Sequence, residues 1–217
     1  MKRSKVAVLG TGDVGRVLGK GLIDLGHDVI MGSRDAQNLK AVNWAKEAGP
    51  HASAATFSDA TAAADMVVLA TLGTATEEII RMAGVKNFSG KVVIDATNPI
   101  ANMEGQLPSL FCGTNDSLGE RVQRLIPDAK VVKAYNTVGN AHMIQPKFKE
   151  GRPDMFICGN DDEAKRTVTE MTAMWGWGVV DLGGIECSRY TEAMCMAWVL
   201  YGIKTGTRNH AFKLLKK

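Results

Sequence analysis

The stretch "KVAVLGTGDVGRVLG", residues 5–19, joins an apolar run to a glycine-punctuated turn and then to a helical pattern. Its spacing, Gly10-x-Gly12-x-x-Gly15, matches the fingerprint of a dinucleotide-binding βα unit. Gly10 permits the tight strand-to-helix turn, Gly12 lets the backbone approach a pyrophosphate, and Gly15 lets the helix pack closely on the strand. The helix N-terminus beyond offers unpaired N–H groups and a partial positive charge to phosphates, and Thr11 adds a hydroxyl. Three glycines alone would be a weak signal. Set between a strand and a helix, they predict a Rossmann unit.

The next strand ends in "HDVIMGSRDA", residues 27–36. In an NAD-binding unit this tip carries an acid that bonds the adenosine ribose 2′-hydroxyl. Ser33 and Arg34 stand there instead. A guanidinium makes charge-assisted, often bidentate bonds to phosphate and can stack on adenine, whereas an acid would repel a 2′-phosphate. The pair therefore predicts NADP(H), with the Ser33 hydroxyl as a further donor; an ordinary solvated Ser-Arg loop is the plain alternative. Asp35 is expected to cap the following helix rather than reach the ribose.

Strand-like and helical runs then alternate. Strands are expected at 5–10, 28–33, 65–71, 90–100 and 129–138, with a short strand or loop inside 55–64. Helices are expected at 14–25, 36–48, 75–84 and 117–126. Near-continuous Val/Ile/Leu strands between helices predict a doubly wound parallel α/β sheet covered on both faces. After residue 138 a Pro- and Lys-containing connection leads to a strand at 154–160, a helix opening at Asp161–Asp162, a strand and turn at 175–184, and a last apolar helix from about Ser188. The expected organisation is thus an NADP-binding Rossmann domain, 1–138, and a small C-terminal α/β part, 139–217, forming the acceptor pocket and a dimer interface.

The 217 residues are 45% hydrophobic and 23% charged, enough for a sizeable core, and a net charge of +3 is too weak to argue for nucleic acid. Cys112, Cys158, Cys187 and Cys195 show no C-x-x-C spacing, which suits unpaired thiols in a reduced, cytoplasmic compartment. No signal peptide is visible, and the late apolar run at 193–203 is too short to span a bilayer. A soluble protein without membrane or nucleic-acid partners is expected.

In open α/β sheets the ligand lies beyond the C-terminal strand ends. That points to Thr71, Leu72 and Gly73, to Thr97, Asn98 and Pro99, and to Asn136 and Thr137. The Asn/Thr pairs can bond a carboxamide or a ribose, or equally satisfy local turns. Of the histidines, His27 is expected to pack, His51 and His210 to be exposed, and His142 to be structural or solvated, with the pocket within its reach.

"VLGTGDVGRVLGKGLIDLGHDVIMGSRD", "VVIDATNP", "CGNDDEAKR" and "VDLGGIECSRYTEAM" together resemble the deazaflavin-dependent NADP oxidoreductases, and also the cytosolic NADPH-flavin domains of membrane metalloreductases. The resemblance covers nearly the whole chain. It implies a homodimer that transfers a hydride between NADP(H) and a deazaflavin, with FMN or FAD as other candidate acceptors. It implies that Thr11, Asp13 and Val14 contact the pyrophosphate, Ser33 and Arg34 the 2′-phosphate, and the residues after the fourth and sixth strands the nicotinamide. Two departures bear on the acceptor. Family members that use deazaflavin can carry His where this chain has Asn136, and Lys where it has Asn38.

Hydride transfer between two bound rings needs position and exclusion of water more than acid–base chemistry, which fits the lack of a catalytic constellation. Reductases of the hydroxyacid or imine type carry a large helical domain with a catalytic Lys, for which this chain has little room. A non-catalytic NADPH-binding redox sensor is the remaining alternative.

Overall fold

The computed structural model describes residues 3–101 and 107–216. Eight strands form one sheet: β1 (Lys5–Leu9), β2 (Asp28–Ser33), β3 (Ala52–Thr56), β4 (Met66–Leu69), β5 (Val92–Asp95), β6 (Lys130–Lys133), β7 (Asp154–Gly159) and β8 (Gly178–Asp181). Their spatial order is β3-β2-β1-β4-β5-β6-β7-β8. The first six run parallel, β7 is antiparallel to β6, and β8 is parallel to β7. This is the doubly wound Rossmann-like arrangement. The two strands that follow residue 138 continue the same sheet.

Among the described residues six α-helices lie between these strands, α1 (Asp13–Asp24), α2 (Leu39–Ala48), α3 (Phe57–Ala63), α4 (Gly73–Ala83), α5 (Leu118–Leu125) and α6 (Asp162–Met174), and α7 (Ser188–Thr205) follows the last. Alternate residues of each strand feed opposite cores, because strand side chains have period two. Val6 and Val8 join Leu18, Leu22, Trp44, Val168 and Trp175 on one face. Ala7 and Leu9 join Phe57, Ile79, Ile80, Phe88 and Val122 on the other. Strands buried on both faces explain why they read as unbroken apolar runs.

Two local expectations change. The α2 helix starts at Leu39 rather than near 36, because Asn38 is its cap, accepting at Oδ1 from the N–H groups of Lys40 and Ala41. Asp35 caps no helix; its Oδ1 accepts from Gln37 N at 2.9 Å, closing a turn that leads towards the cap. The expected opening of α6 is present, with Asp161 Oδ1 accepting from Ala164 N at 2.8 Å.

Candidate cofactor cleft and active site

The strand order reverses between β1 and β4, where successive connections leave in opposite directions and a crevice must open beyond the strand ends. A cleft of about 640 Å³ lies there. Its floor is the turn from β1 to α1, with Gly10, Thr11, Gly12, Asp13 and Val14 on the surface.

The three glycines have different surroundings. Gly10 has φ +130°, and a Cβ there would sit 2.3 Å from Ala70 O. At Gly15 a Cβ would sit 2.0 Å from Gly10 O, so this residue sets how closely α1 approaches β1 and does not itself line the cleft. Gly12 is different: a Cβ there meets nothing within 4 Å. Its hydrogen faces the open cleft, at the N-terminus of a 12-residue helix whose first N–H groups have no intrahelical acceptor. The open space over Gly12 and the unpaired N–H groups behind it are compatible with the phosphates of a dinucleotide.

Ser33 and Arg34 line the cleft at the end of β2. Arg34 is exposed and makes no ion pair among the described residues, so its charge is free for an anionic ligand. Ser33 is 4% exposed, and its Oγ donates to Asp35 O at 2.5 Å. Its hydrogen is therefore engaged, and the expected role as a donor would require the hydroxyl to turn. Asn38 also lines the cleft, but its carboxamide oxygen is spent on the α2 cap.

At the other end, Thr71 and Leu72 follow β4 and Thr97 and Asn98 follow β5, and all four line the cleft. Leu72 is 79% exposed, an apolar side chain held out over the opening. Asn136 and Thr137 do not line the cleft; they are 2% and 3% exposed. Tyr135, at φ +62°, turns the chain after β6. Asn136 Nδ2 then donates to Asn98 Oδ1 and to Thr191 O, each at 3.0 Å, and Asn98 Nδ2 returns a bond to Asn136 O at 2.8 Å. Asn136 thus supports Asn98 from beneath.

Beneath the same strand ends lies a charged cluster that the sequence reading missed. Lys133 Nζ is 2.9 Å from Asp95 Oδ2 and 2.8 Å from Glu192 Oε1, with all three side chains at most 1% exposed. Glu192, on α7, also accepts from Leu118 N and Gly119 N at the start of α5, each at 3.0 Å. Burial alone would push the Lys133 ammonium down, but Asp95 and Glu192 beside it hold it above the ordinary lysine range. Asp95 Oδ1 in turn accepts from Thr97 N at 2.9 Å and from Thr97 Oγ1 at 2.6 Å, which fixes the loop at the cleft. A lysine and an acid inside the apolar strands "VVKAYN" and "VVIDATN" were the available signal, since such groups are buried only when paired.

The histidines lie outside the cleft. His142 meets Asn209 Oδ1 at 3.0 Å and packs against Phe148, so it does not reach the pocket. His27 is buried, with Ser4 N donating to its Nδ1, and His51 is exposed beside Asp28. His210 is half-buried rather than exposed, held between Trp198 and Tyr201. Cleft-lining residues not anticipated include Gly32, Phe57, Thr74, Ile79, Ile100 and Asn140.

The family model described as NADP oxidoreductase, coenzyme F420-dependent, matches residues 5–99, the part that carries the glycine turn, Ser33–Arg34 and the ends of β4 and β5. A crystal structure of a candidate F420-dependent NADP-reductase from Arthrobacter sp. FB24 is 37% identical, covers 98% of this chain and 100% of its own, and superposes with a TM-score of 0.92. The chain belongs to the coenzyme F420-dependent NADP oxidoreductase family. The F420-dependent NADP reductase of Methanocaldococcus jannaschii is 29% identical over 220 residues, covering 97% of both proteins. The metalloreductase STEAP3 of Rattus norvegicus is 28% identical over 88% of this chain, and the chain spans only 36% of that protein's length. This family member has no helix, among its described residues, long and apolar enough to cross a membrane, and no cluster of three potential metal-ligating side chains.

Proposed function

We propose that this NADP oxidoreductase transfers a hydride between NADP(H) and a deazaflavin, the two rings meeting at the end of the cleft bounded by Thr71, Leu72, Thr97 and Asn98. The observation that carries the reading is the continuity of one cleft, from the free cation of Arg34, past the open face of Gly12, to the exposed apolar side chain of Leu72. Arg34 binds the 2′-phosphate as a charge-assisted partner. The N–H groups of Asp13 and Val14 bind the pyrophosphate, with Thr11 beside them. When bound, NADPH supplies the hydride. Leu72 and Ile100 supply apolar surface for a second ring and exclude water, and Asn98, held by Asn136, orients the carboxamide. No side chain has to move a proton at the reacting carbons.

The finer points of assembly follow from the same reading. The C-terminal part contributes Asn140 to the cleft wall, and α7 exposes Tyr190 and Tyr201, about three turns apart on one side of the helix, to the second subunit of a homodimer. A cytoplasmic setting suits the four free thiols.

The test mixes the protein with NADPH and the oxidised deazaflavin coenzyme F420, with FMN and FAD in parallel, and follows the absorbance of each. Rapid reduction of the deazaflavin is expected. Turnover with FMN or FAD alone would make the chain a flavin reductase, and tight NADPH binding without turnover on any acceptor would overturn the enzymatic reading.

A further inference from the structure

Thr71 and Thr97 line the same end of the cleft, Thr97 only 2% exposed, and the hydrogen bonds of their hydroxyls fix where the protons point. Thr76 Oγ1 donates to Leu72 O at 3.0 Å, and Thr71 Oγ1 lies 2.9 Å from Thr76 Oγ1. A threonine has one hydroxyl hydrogen. With that of Thr76 given to Leu72 O, Thr71 must be the donor of the pair, and its oxygen turns only lone pairs to the cleft. At Thr97 the same outcome has a different cause. Thr97 Oγ1 donates to Asp95 Oδ1 at 2.6 Å, and the other oxygen of Asp95 is held by the buried ammonium of Lys133. Both protons point inward. Beside them Asn98 gives one amide hydrogen to Asn136 O and keeps another.

We infer that the ring end of the cleft is a polarised recognition site, two hydroxyl acceptors (Thr71 and Thr97) and one amide donor (Asn98), that selects the nicotinamide carboxamide by its amino group, and that Asp95 and Lys133 are positioning residues that set this polarity. The inference rests on the proposed binding of NADP(H) in this cleft. It gives the buried ion cluster a task beyond packing: a buried lysine is costly unless paired, and here the pair orients the hydroxyl of a residue that lines the cleft. A carboxamide has an N–H₂ that fits acceptors and a C=O that fits the remaining Asn98 hydrogen. A ketone in the same place offers no donor, and leaves a threonine oxygen facing a methyl group.

The test compares three nucleotides by titration calorimetry: NADP⁺, its 3-acetylpyridine analogue, in which a methyl replaces the amino group, and 2′-phospho-ADP-ribose, which lacks the ring. NADP⁺ is expected to bind about three- to tenfold more tightly than the acetylpyridine analogue, the range of one neutral hydrogen bond. T71V and T97V, which remove the acceptor and keep the shape, are each expected to shrink that ratio, and T97S to keep it. In D95N either orientation of the amide sets its N–H₂ against a donor, the Lys133 ammonium on one side or Thr97 N on the other, so the Thr97 hydroxyl loses its fixed acceptor and the ratio falls there too. A merely structural defect would weaken all three nucleotides alike, whereas the inference leaves 2′-phospho-ADP-ribose unchanged in every variant. Equal binding of NADP⁺ and the acetylpyridine analogue by the unmodified protein, or a ratio unmoved in T71V and T97V, overturns the inference alone. Failure of 2′-phospho-ADP-ribose and NADP⁺ to bind the unmodified protein would instead overturn the cofactor reading beneath it.

Discussion

Asn136 and Asn98 form a reciprocal pair: Nδ2 of Asn136 donates to Asn98 Oδ1 at 3.0 Å, and Nδ2 of Asn98 donates to the main-chain oxygen of Asn136 at 2.8 Å. Asn136 also bonds Thr191 O on α7, so one side chain joins the cleft wall to the C-terminal helix. Removing it leaves two acceptors without a partner. N136A is expected to lose about 1–3 kcal/mol of stability, the cost of orphaned buried polar groups, and to raise the KM for NADPH because Asn98 is no longer held. Thermal unfolding and steady-state kinetics check both effects. An unchanged KM alongside a lowered Tm would confine Asn136 to packing.

The glycine turn gives a contrast within four residues. A Cβ at Gly12 meets nothing, whereas at Gly10 it meets Ala70 O at 2.3 Å with φ at +130°. G12A is therefore expected to fold with a near-normal Tm and bind NADPH weakly, because its methyl stands where the pyrophosphate approaches. G10A is expected to lose at least about 2 kcal/mol, through backbone strain and the clash, and to unfold several degrees lower. Differential scanning calorimetry with and without NADPH separates the two. Equal destabilisation would contradict the assignment of Gly12 to the ligand and Gly10 to the turn.

The role proposed for Arg34 is to choose between the two nicotinamide cofactors. R34A removes a charge-assisted bond worth about 1.5–3 kcal/mol, so the KM for NADPH is expected to rise about 10- to 100-fold with that for NADH nearly unchanged. Kinetics with both cofactors measure this directly. A parallel loss for NADH would show that Arg34 supports the fold and not the 2′-phosphate.

The Glu120–Arg189 pair ties α5 to the start of α7, with Arg189 Nε 2.8 Å from Glu120 Oε2 and Nη2 2.5 Å from Oε1. The Arg189 guanidinium holds the Glu120 carboxyl below its ordinary range, and Ser117 assists against the opposing effect of burial. A depressed carboxylate contributes stability that is present above its unfolded pKa of about 4.3 and lost as pH falls through the lower folded value. R189Q is therefore expected to be less stable than the unmodified protein at pH 7, with the difference narrowing below about pH 4. Urea midpoints at pH 7 and pH 3 test this, and a gap constant over that interval would count against the pairing.

Sequence carried the sheet and the glycine turn because both depend on local pattern. The Val/Ile runs of β1, β4 and β5 and the spacing of Gly10, Gly12 and Gly15 need no distant partner to be recognised. What stayed hidden depended on long-range contacts or on a single torsion. For Asn136 the sequence offers a bond to a carboxamide or ribose, or a local turn; the positive φ of Tyr135 breaks the two-residue alternation one step earlier and turns it under Asn98. His210 gains its shelter from Trp198 and Tyr201 on α7. The cluster of Lys133 with Asp95 and Glu192 unites residues far apart in the chain, and the hydrogen of Ser33 goes to a carbonyl two residues on.

The reaction proposed is direct hydride transfer between NADPH and a deazaflavin held in one cleft. The most direct measurement uses NADPH carrying deuterium at the transferred position of the nicotinamide C4, with oxidised deazaflavin in ordinary water, and determines by mass spectrometry where the label goes. Direct transfer places one deuterium, bound to carbon, in the reduced deazaflavin. Reduced deazaflavin without the label, its hydrogen drawn from water, would contradict it.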